Sequence, residues 1–197
     1  MIQLKILFVY QDILTSGWSI NVNDIKLRDI NLDDSKSLFP IWNNKDSLKY
    51  TYQPYVISQD QCCQKIMELL EFNRKIDPNF NFGPFGIILN GSMIGMIGLE
   101  IISLELKEYE LWYILSQEFW SKGITTKAVR IIVAKAFQEI EAERIFAEVV
   151  PDNIPSIKVL EKNHFKKEGC LRRKFIRDGQ IRDINIYSIL RDEYKFS

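Results

Sequence analysis

The clearest chemical signal in the sequence is the turn Lys122-Gly123-Ile124-Thr125-Thr126, which follows Phe119-Trp120 and leads into an apolar run at helical spacing. A polar, glycine-containing turn that ends a strand and opens a helix presents unpaired backbone N–H groups and the positive end of the helix dipole. That is a seat for an anion, most economically a pyrophosphate. The Lys122 side chain and the Thr126 hydroxyl are suited to assist. An ordinary turn glycine at 123 is the plain alternative. A second helix start follows at Asn153-Ile154-Pro155-Ser156, where Asn153 and Ser156 are both cap-forming residue types.

These turns need strands and helices to hold them, and the sequence supplies both. A strand is expected over about 109–115, a helix over 126–138 with Ala128, Val129, Ile132, Val133, Ala136 and Phe137 on one face, a strand over 144–150 and a helix over 156–162. Asp178-Gly179 then joins two strands over 168–177 and 180–190. Upstream, 25–30 alternates as a strand. Asp33-Asp34 caps a helix carrying Leu38, Ile41 and Trp42, with Pro40 near its first turns. The capping box Ser58-x-x-Gln61 opens a second helix running to about Arg74. Asn90-Gly91 marks a hairpin rather than a glycosylation site, and Gly95 and Gly98 in its second strand imply a bulge or a close backbone approach. Residues 1–24 show partial alternation at Ile2, Leu4, Ile6 and Phe8; an extra strand and an arm packing on the domain or on a second subunit are equally open. No repeat, low-complexity segment or linker interrupts the chain.

Bulk properties narrow the function classes. A chain of 197 residues with 46% hydrophobic and 26% charged residues fits one soluble globular domain. Lys+Arg and Asp+Glu are both 26, which argues against nucleic-acid binding by bulk phosphate attraction. Cys62, Cys63 and Cys170 form no C-x-x-C pair, and the single histidine, His164, leaves no zinc-site spacing; free thiols in a reducing cytosol follow. The apolar run 4–14 is interrupted by Lys5, Gln11 and Asp12, so neither a signal peptide nor a membrane span is expected.

Trp120-Ser121-Lys122-Gly123-Ile124-Thr125-Thr126-Lys127-Ala128 resembles the W-G-K-G-Y-A-T-E-A turn of the RimJ/RimL-type branch of the GNAT acyl-CoA N-acyltransferases. Asn153-x-x-Ser156 with Leu160-Glu161-Lys162-x-x-Phe165 resembles that branch's N-x-A-S and L-E-K-x-G-F blocks, and 25–30 its opening strand. The likeness covers roughly 25–190. It implies an α/β (α+β) GNAT fold: a central mixed, mostly antiparallel sheet of six to seven strands with about four helices, strands four and five splayed. It also implies two parts, 1–24 as an N-terminal extension or extra strand and 25–197 as the acetyltransferase domain.

The resemblance further implies an N-acetyltransferase that moves an acetyl group from acetyl-CoA directly to a primary amine, a protein N-terminus or a small amine, without a metal. Tyr113, Ile114, Leu115, Trp120, Ser121, Lys122, Gly123, Ile124, Thr125, Thr126, Asn153 and Ser156 are then the cofactor-binding set, with pantetheine lying as a pseudo-strand beside Tyr113-Ile114-Leu115. Amides of a bulged strand near Ile114 would polarise the thioester. Glu110 is the first candidate for the base and Glu100 the second, against the plain alternative of solvated carboxylates. Ser156 would stand near the thiol sulfur, and Trp42, Tyr50, Tyr52 and Tyr55 would wall the acceptor side, against the plain alternative of core or rim aromatics.

Departures from the pattern matter too. Ser121 and Thr125 replace small residues where backbone must approach phosphate, Lys127 replaces a glutamate, and Leu160 stands where many GNAT enzymes carry a tyrosine acid. They motivate a second reading, an acyl-CoA-binding or interaction domain without catalysis. His164 is expected as a helix C-cap or packing residue, and Leu171-Arg172-Arg173-Lys174 with Arg177, alternating sides along a strand, as a solvated basic face, with contact to an acidic substrate or a nucleotide as the lesser alternative. The implied setting is cytoplasmic, with no nucleic-acid or membrane partner and a possible homodimer.

Overall fold

A computed structural model describes residues 25–195, so the strand or arm expected over 1–24 lies outside the described residues. Seven strands form one sheet: β1 Ile25–Asp29, β2 Phe85–Leu89, β3 Ser92–Ser103, β4 Glu108–Leu115, β5 Arg144–Val149, β6 Lys166–Arg177 and β7 Gln180–Leu190, in the spatial order β1-β2-β3-β4-β5-β7-β6. All neighbours are antiparallel except β4 and β5. Four substantial helices, α1 Ser35–Trp42, α3 Gln59–Ile76, α4 Ile124–Glu139 and α5 Ile154–Lys162, and the single turn α2 Lys45–Leu48, complete the described fold.

Alternation along the strands sends apolar side chains to both faces. On one face Ile97, Leu99, Leu111, Leu115, Ile145 and Ala147 pack against α4 and α5. On the other, Met96 and Ile114 pack against Leu38, Ile41 and Trp42 of α1 and Cys62 and Ile66 of α3.

Helix starts follow their caps. Ser58 Oγ accepts the Gln61 N–H at 3.2 Å, and Gln61 Oε1 accepts the Ile57 N–H at 2.9 Å. At the first helix Asp34 holds the N-cap position but its side chain makes no cap hydrogen bond; the capping bond lies one short turn earlier, where Asn31 accepts the Asp33 N–H at 2.9 Å. Asp34 instead receives the Arg28 guanidinium at 2.6 and 2.8 Å. Pro40 lies in the second half of α1 rather than near its first turns.

The hairpin turns have the backbone they require: φ is +50° and +81° at Asn90 and Gly91, and +49° and +75° at Asp178 and Gly179. Gly95 and Gly98 mark close approaches: a Cβ at 95 would lie 2.3 Å from the Ile114 carbonyl oxygen, and one at 98 would lie 2.6 Å from the Trp112 ring. The expected alternation of Leu171 to Lys174 fails, because β6 breaks register between Leu171 and Phe175, with Arg173 at φ +56° and its N–H donating to Asp183 at 2.8 Å.

Candidate active site

β4 and β5 run side by side for three residue pairs, Glu108 with Arg144, Tyr109 with Ile145 and Glu110 with Phe146. No further pairs join these two strands, and a cavity of about 480 Å³ opens beyond Glu110. Arg144 ties the root of this gap, with Nε 2.7 Å from Glu108 on β4 and its other nitrogens 2.7 Å from Glu168 on β6.

β4 nonetheless stays paired with β3 from Leu115 back to Tyr109. Ser116 N–H donates to Ile94 O at 2.9 Å, and antiparallel pairing alternates every residue. The Ile114 amide is therefore turned toward β3, while Leu111, Tyr113 and Leu115 present backbone groups to the gap. The Leu115 carbonyl confirms that direction by accepting the Trp120 indole N–H at 2.8 Å. The bulge expected near Ile114 falls elsewhere: the register shifts between β3 and β4 at Ile101/Ser103.

One side of the gap is the α4/α5 side. Gly123, at φ +76°, is the N-cap of α4 without a side-chain cap, and a Cβ built there meets nothing within 4 Å. The N-cap thus supplies no side-chain acceptor to the first α4 amides, and the space beside Gly123 is open, as an anion seat requires. Ser121 and Lys122 are exposed, Thr125 and Thr126 half-buried, and Ile124 is sunk in the core, so it offers only backbone. Lys122 Nζ rests 5.4 Å over the Phe119 ring. Ser121 adopts φ +60° and His164 φ +65°, left-handed conformations that glycine holds without strain. Asn153 caps α5 by accepting the Ser156 N–H at 3.4 Å. Ser156 Oγ lies 2.6 Å from the Tyr113 hydroxyl. Burial pushes the Tyr113 phenol up to about 12 although that hydrogen bond pulls the other way.

The opposite side carries acid. Glu100 and Glu110 are directly paired across β3 and β4, and Glu148 sits two residues past Phe146, the β5 partner of Glu110. All three line the cavity. Burial, followed by the carboxylates of Glu148 and Glu100, pushes Glu110 up to about 7, with Lys174 pulling it down. Burial also raises Glu100, opposed by Lys65. Tyr52 donates its hydroxyl to Glu148 Oε2 at 2.8 Å.

Trp42, Tyr50 and Tyr52 face this cavity; Tyr55 instead lies under the Arg177 guanidinium, 4.2 Å from its ring centroid. Arg177 Nη1 donates to Gln53 O at 2.6 Å, Tyr55 to Asp178 at 3.3 Å, and the Tyr52 and Phe175 rings meet edge to face at 5.0 Å. The tip of the β6–β7 hairpin thus braces the loop over 50–55.

Glu148, Gln53 and Lys174 are polar lining residues that were not candidates from sequence for this cavity. Glu148 had a signal: in β5 Ile145, Ala147 and Val149 are buried, so alternation assigns Phe146 and Glu148 to the face that Glu110 shares. Leu160, where a tyrosine acid was sought, is wholly buried in the core.

Comparison with known proteins agrees with this geometry. The sequence profile described as Acetyltransferase (GNAT) domain matches residues 24–166. The uncharacterized N-acetyltransferase p20 of Bacillus licheniformis is 30% identical over 172 residues, covering 86% of this chain and 94% of that protein. The spermidine N(1)-acetyltransferase of Escherichia coli strain K12 is 23% identical over 175 residues, 88% of this chain and 90% of the relative. RimL, a ribosomal-protein alpha-N-acetyltransferase solved in complex with coenzyme A, shares the fold with a TM-score of 0.76 at 22% identity, over 86% of this chain and 96% of RimL. With a profile spanning most of the chain and a sheet that splits after Glu110, the protein belongs to the GNAT acetyltransferase family and is an N-acetyltransferase.

Proposed function

We propose that the gap between β4 and β5 is a through-passage, with acetyl-CoA entering from the α4/α5 side and the amine from the carboxylate side. The division of side chains across the gap supports this most: Tyr113, Asn153 and Ser156 on one face, Glu100, Glu110 and Glu148 on the other. Backbone amides at 121–126 hold the pyrophosphate, helped by Lys122 and Thr126. Asn153 meets the pantetheine arm, and the gap-facing amides of Tyr113 and Leu115 polarise the thioester carbonyl. Glu110, directly or through a water, takes the proton of the attacking ammonium, with Glu100 as its neighbour in that task. The C–N bond then forms, the C–S bond breaks, and the electron pair leaves on sulfur beside Ser156.

Three carboxylates around one cavity favour an acceptor that carries positive charge beyond its reacting nitrogen, such as a polyamine or a basic peptide N-terminus. Spermidine is the acceptor in the name of one relative, and a ribosomal protein in that of the coenzyme A complex. We place the chain in the RimJ/RimL-type branch, acting without a metal in the cytoplasm.

Thiol release from acetyl-CoA with an amine panel tests the reading. Turnover on di- and polyamines above that on monoamines is expected. Acetyl-CoA binding without thiol release on any amine would favour the alternative that Thr125, Lys127 and Leu160 suggest, a binding domain without catalysis.

A further inference from the structure

Two hydroxyls from different elements meet inside the passage. Tyr113 comes from β4 and Ser156 from the first turn of α5, 43 residues apart, and their oxygens lie 2.6 Å from one another. Both hydroxyls line the cavity; the phenol oxygen also lies 3.4 Å from the Ser156 carbonyl, a far longer approach than the 2.6 Å to the serine oxygen. The Ser156 amide is already occupied by Asn153 Oδ1 at 3.4 Å, so its hydroxyl is not needed to cap the helix.

A contact this short needs one donor, and acidity decides which. A phenol, with an ordinary value near 10, is a far stronger acid than an aliphatic alcohol and gives its hydrogen to the serine oxygen. The serine proton is then released to point elsewhere, and the cavity is the open direction. A hydroxyl that accepts from a phenol is also a better donor, because hydrogen bonds in a chain polarise one another in a low-dielectric interior.

We infer that Tyr113 is a positioning residue for acetyl transfer: its phenol donates to Ser156 Oγ and so aims and strengthens the Ser156 hydroxyl toward the sulfur that leaves. The inference rests on the proposed passage of the acyl donor through the gap. The pair supplies a hydrogen bond and keeps both of its protons. As nitrogen attacks the carbonyl carbon, the C–S electron pair moves onto sulfur and is stabilised there by the Ser156 O–H. The ammonium proton goes to Glu110, and the thiolate takes its proton from water after release.

The experiment compares Tyr113→Phe, Ser156→Ala and the double variant in the full chain, reading kcat and KM for acetyl-CoA together with the melting-temperature rise that coenzyme A produces. The inference expects kcat to fall about tenfold in Tyr113→Phe, one polarised hydrogen bond, and about a hundredfold in Ser156→Ala. The double variant should be no slower than Ser156→Ala, with KM and the coenzyme A shift unchanged throughout.

Losses that multiply in the double variant would overturn it, since independent roles combine additively in free energy. A Tyr113→Phe effect confined to KM, or wild-type kcat in that variant, would overturn it as well. Should Tyr113→Phe fail to fold, Ser156→Thr, which keeps a hydroxyl, must hold kcat within about tenfold while Ser156→Ala loses a hundredfold; equal losses overturn the assignment. A wild-type chain with no coenzyme A shift and no turnover would instead sink the passage itself.

Discussion

Three influences raise the Glu110 carboxyl and one, Lys174, opposes them. Burial, then Glu148 and Glu100, raise it to about 7 from an ordinary 4.5. A base works only when ionised, so kcat/KM should fall as pH drops through about 7. Glu148→Gln removes one repelling charge and should move that acidic limb to lower pH. Glu110→Gln should lower kcat by about 10²- to 10³-fold at pH 8, as steady-state kinetics would show. The same shift makes a stability statement. The folded value lies above the unfolded one, so the cost of the buried charge is absent below 4.5 and complete above about 7. Glu110→Gln should therefore raise the melting temperature at pH 8 and leave it unchanged at pH 4. Ser121 makes a second residue-scale case. Its φ of +60° is strained for a side chain with a Cβ. Ser121→Gly should gain about 1 kcal/mol in a urea titration, the left-handed cost less the entropy of an added glycine.

Among elements, β3 outruns its neighbour. β2 ends opposite Ile97, and beyond it the Leu99 carbonyl and Ile101 amide need partners. Asn73 of α3 supplies both, with Nδ2 donating to Leu99 O at 2.6 Å and Oδ1 accepting from Ile101 N at 2.9 Å. Asn73→Ala orphans two buried backbone groups and should cost about 2–4 kcal/mol by chemical denaturation. Nothing local announces Asn73: its partners are 26 and 28 residues away. The caps at Ser58 and Asn153 and the glycine turns at 91 and 179 were legible because their cause lies within four residues. Glu110 and Ser156 were legible through motif spacing. Alternation in β5 marked the face of Glu148 but not its neighbour Glu110, and the Tyr113 hydroxyl's partner and the break in β6 had no local mark, since each depends on which element lies beside which.

At the scale of the molecule, one sheet separates two cores and is itself divided in the middle. A ligand seated between β4 and β5 replaces pairing that the strands forgo and binds only the folded chain. Acetyl-CoA at a hundred times its dissociation constant should add about 2.7 kcal/mol. That corresponds to a melting-temperature rise of roughly 5–10 °C for a domain of this size, readable by calorimetry; a rise under about 2 °C would count against a donor site in the gap.

The bracing of the 50–55 loop by Arg177, Asp178 and Phe175 has an engineering consequence. Segments more than a hundred residues apart in sequence jointly shape this wall of the cavity. Grafting a foreign loop there without its matching hairpin tip would take from the Arg177 guanidinium the Gln53 carbonyl and the Tyr55 ring that now hold it. Retargeting this scaffold to a new nucleophile therefore calls for exchanging both pieces as a unit.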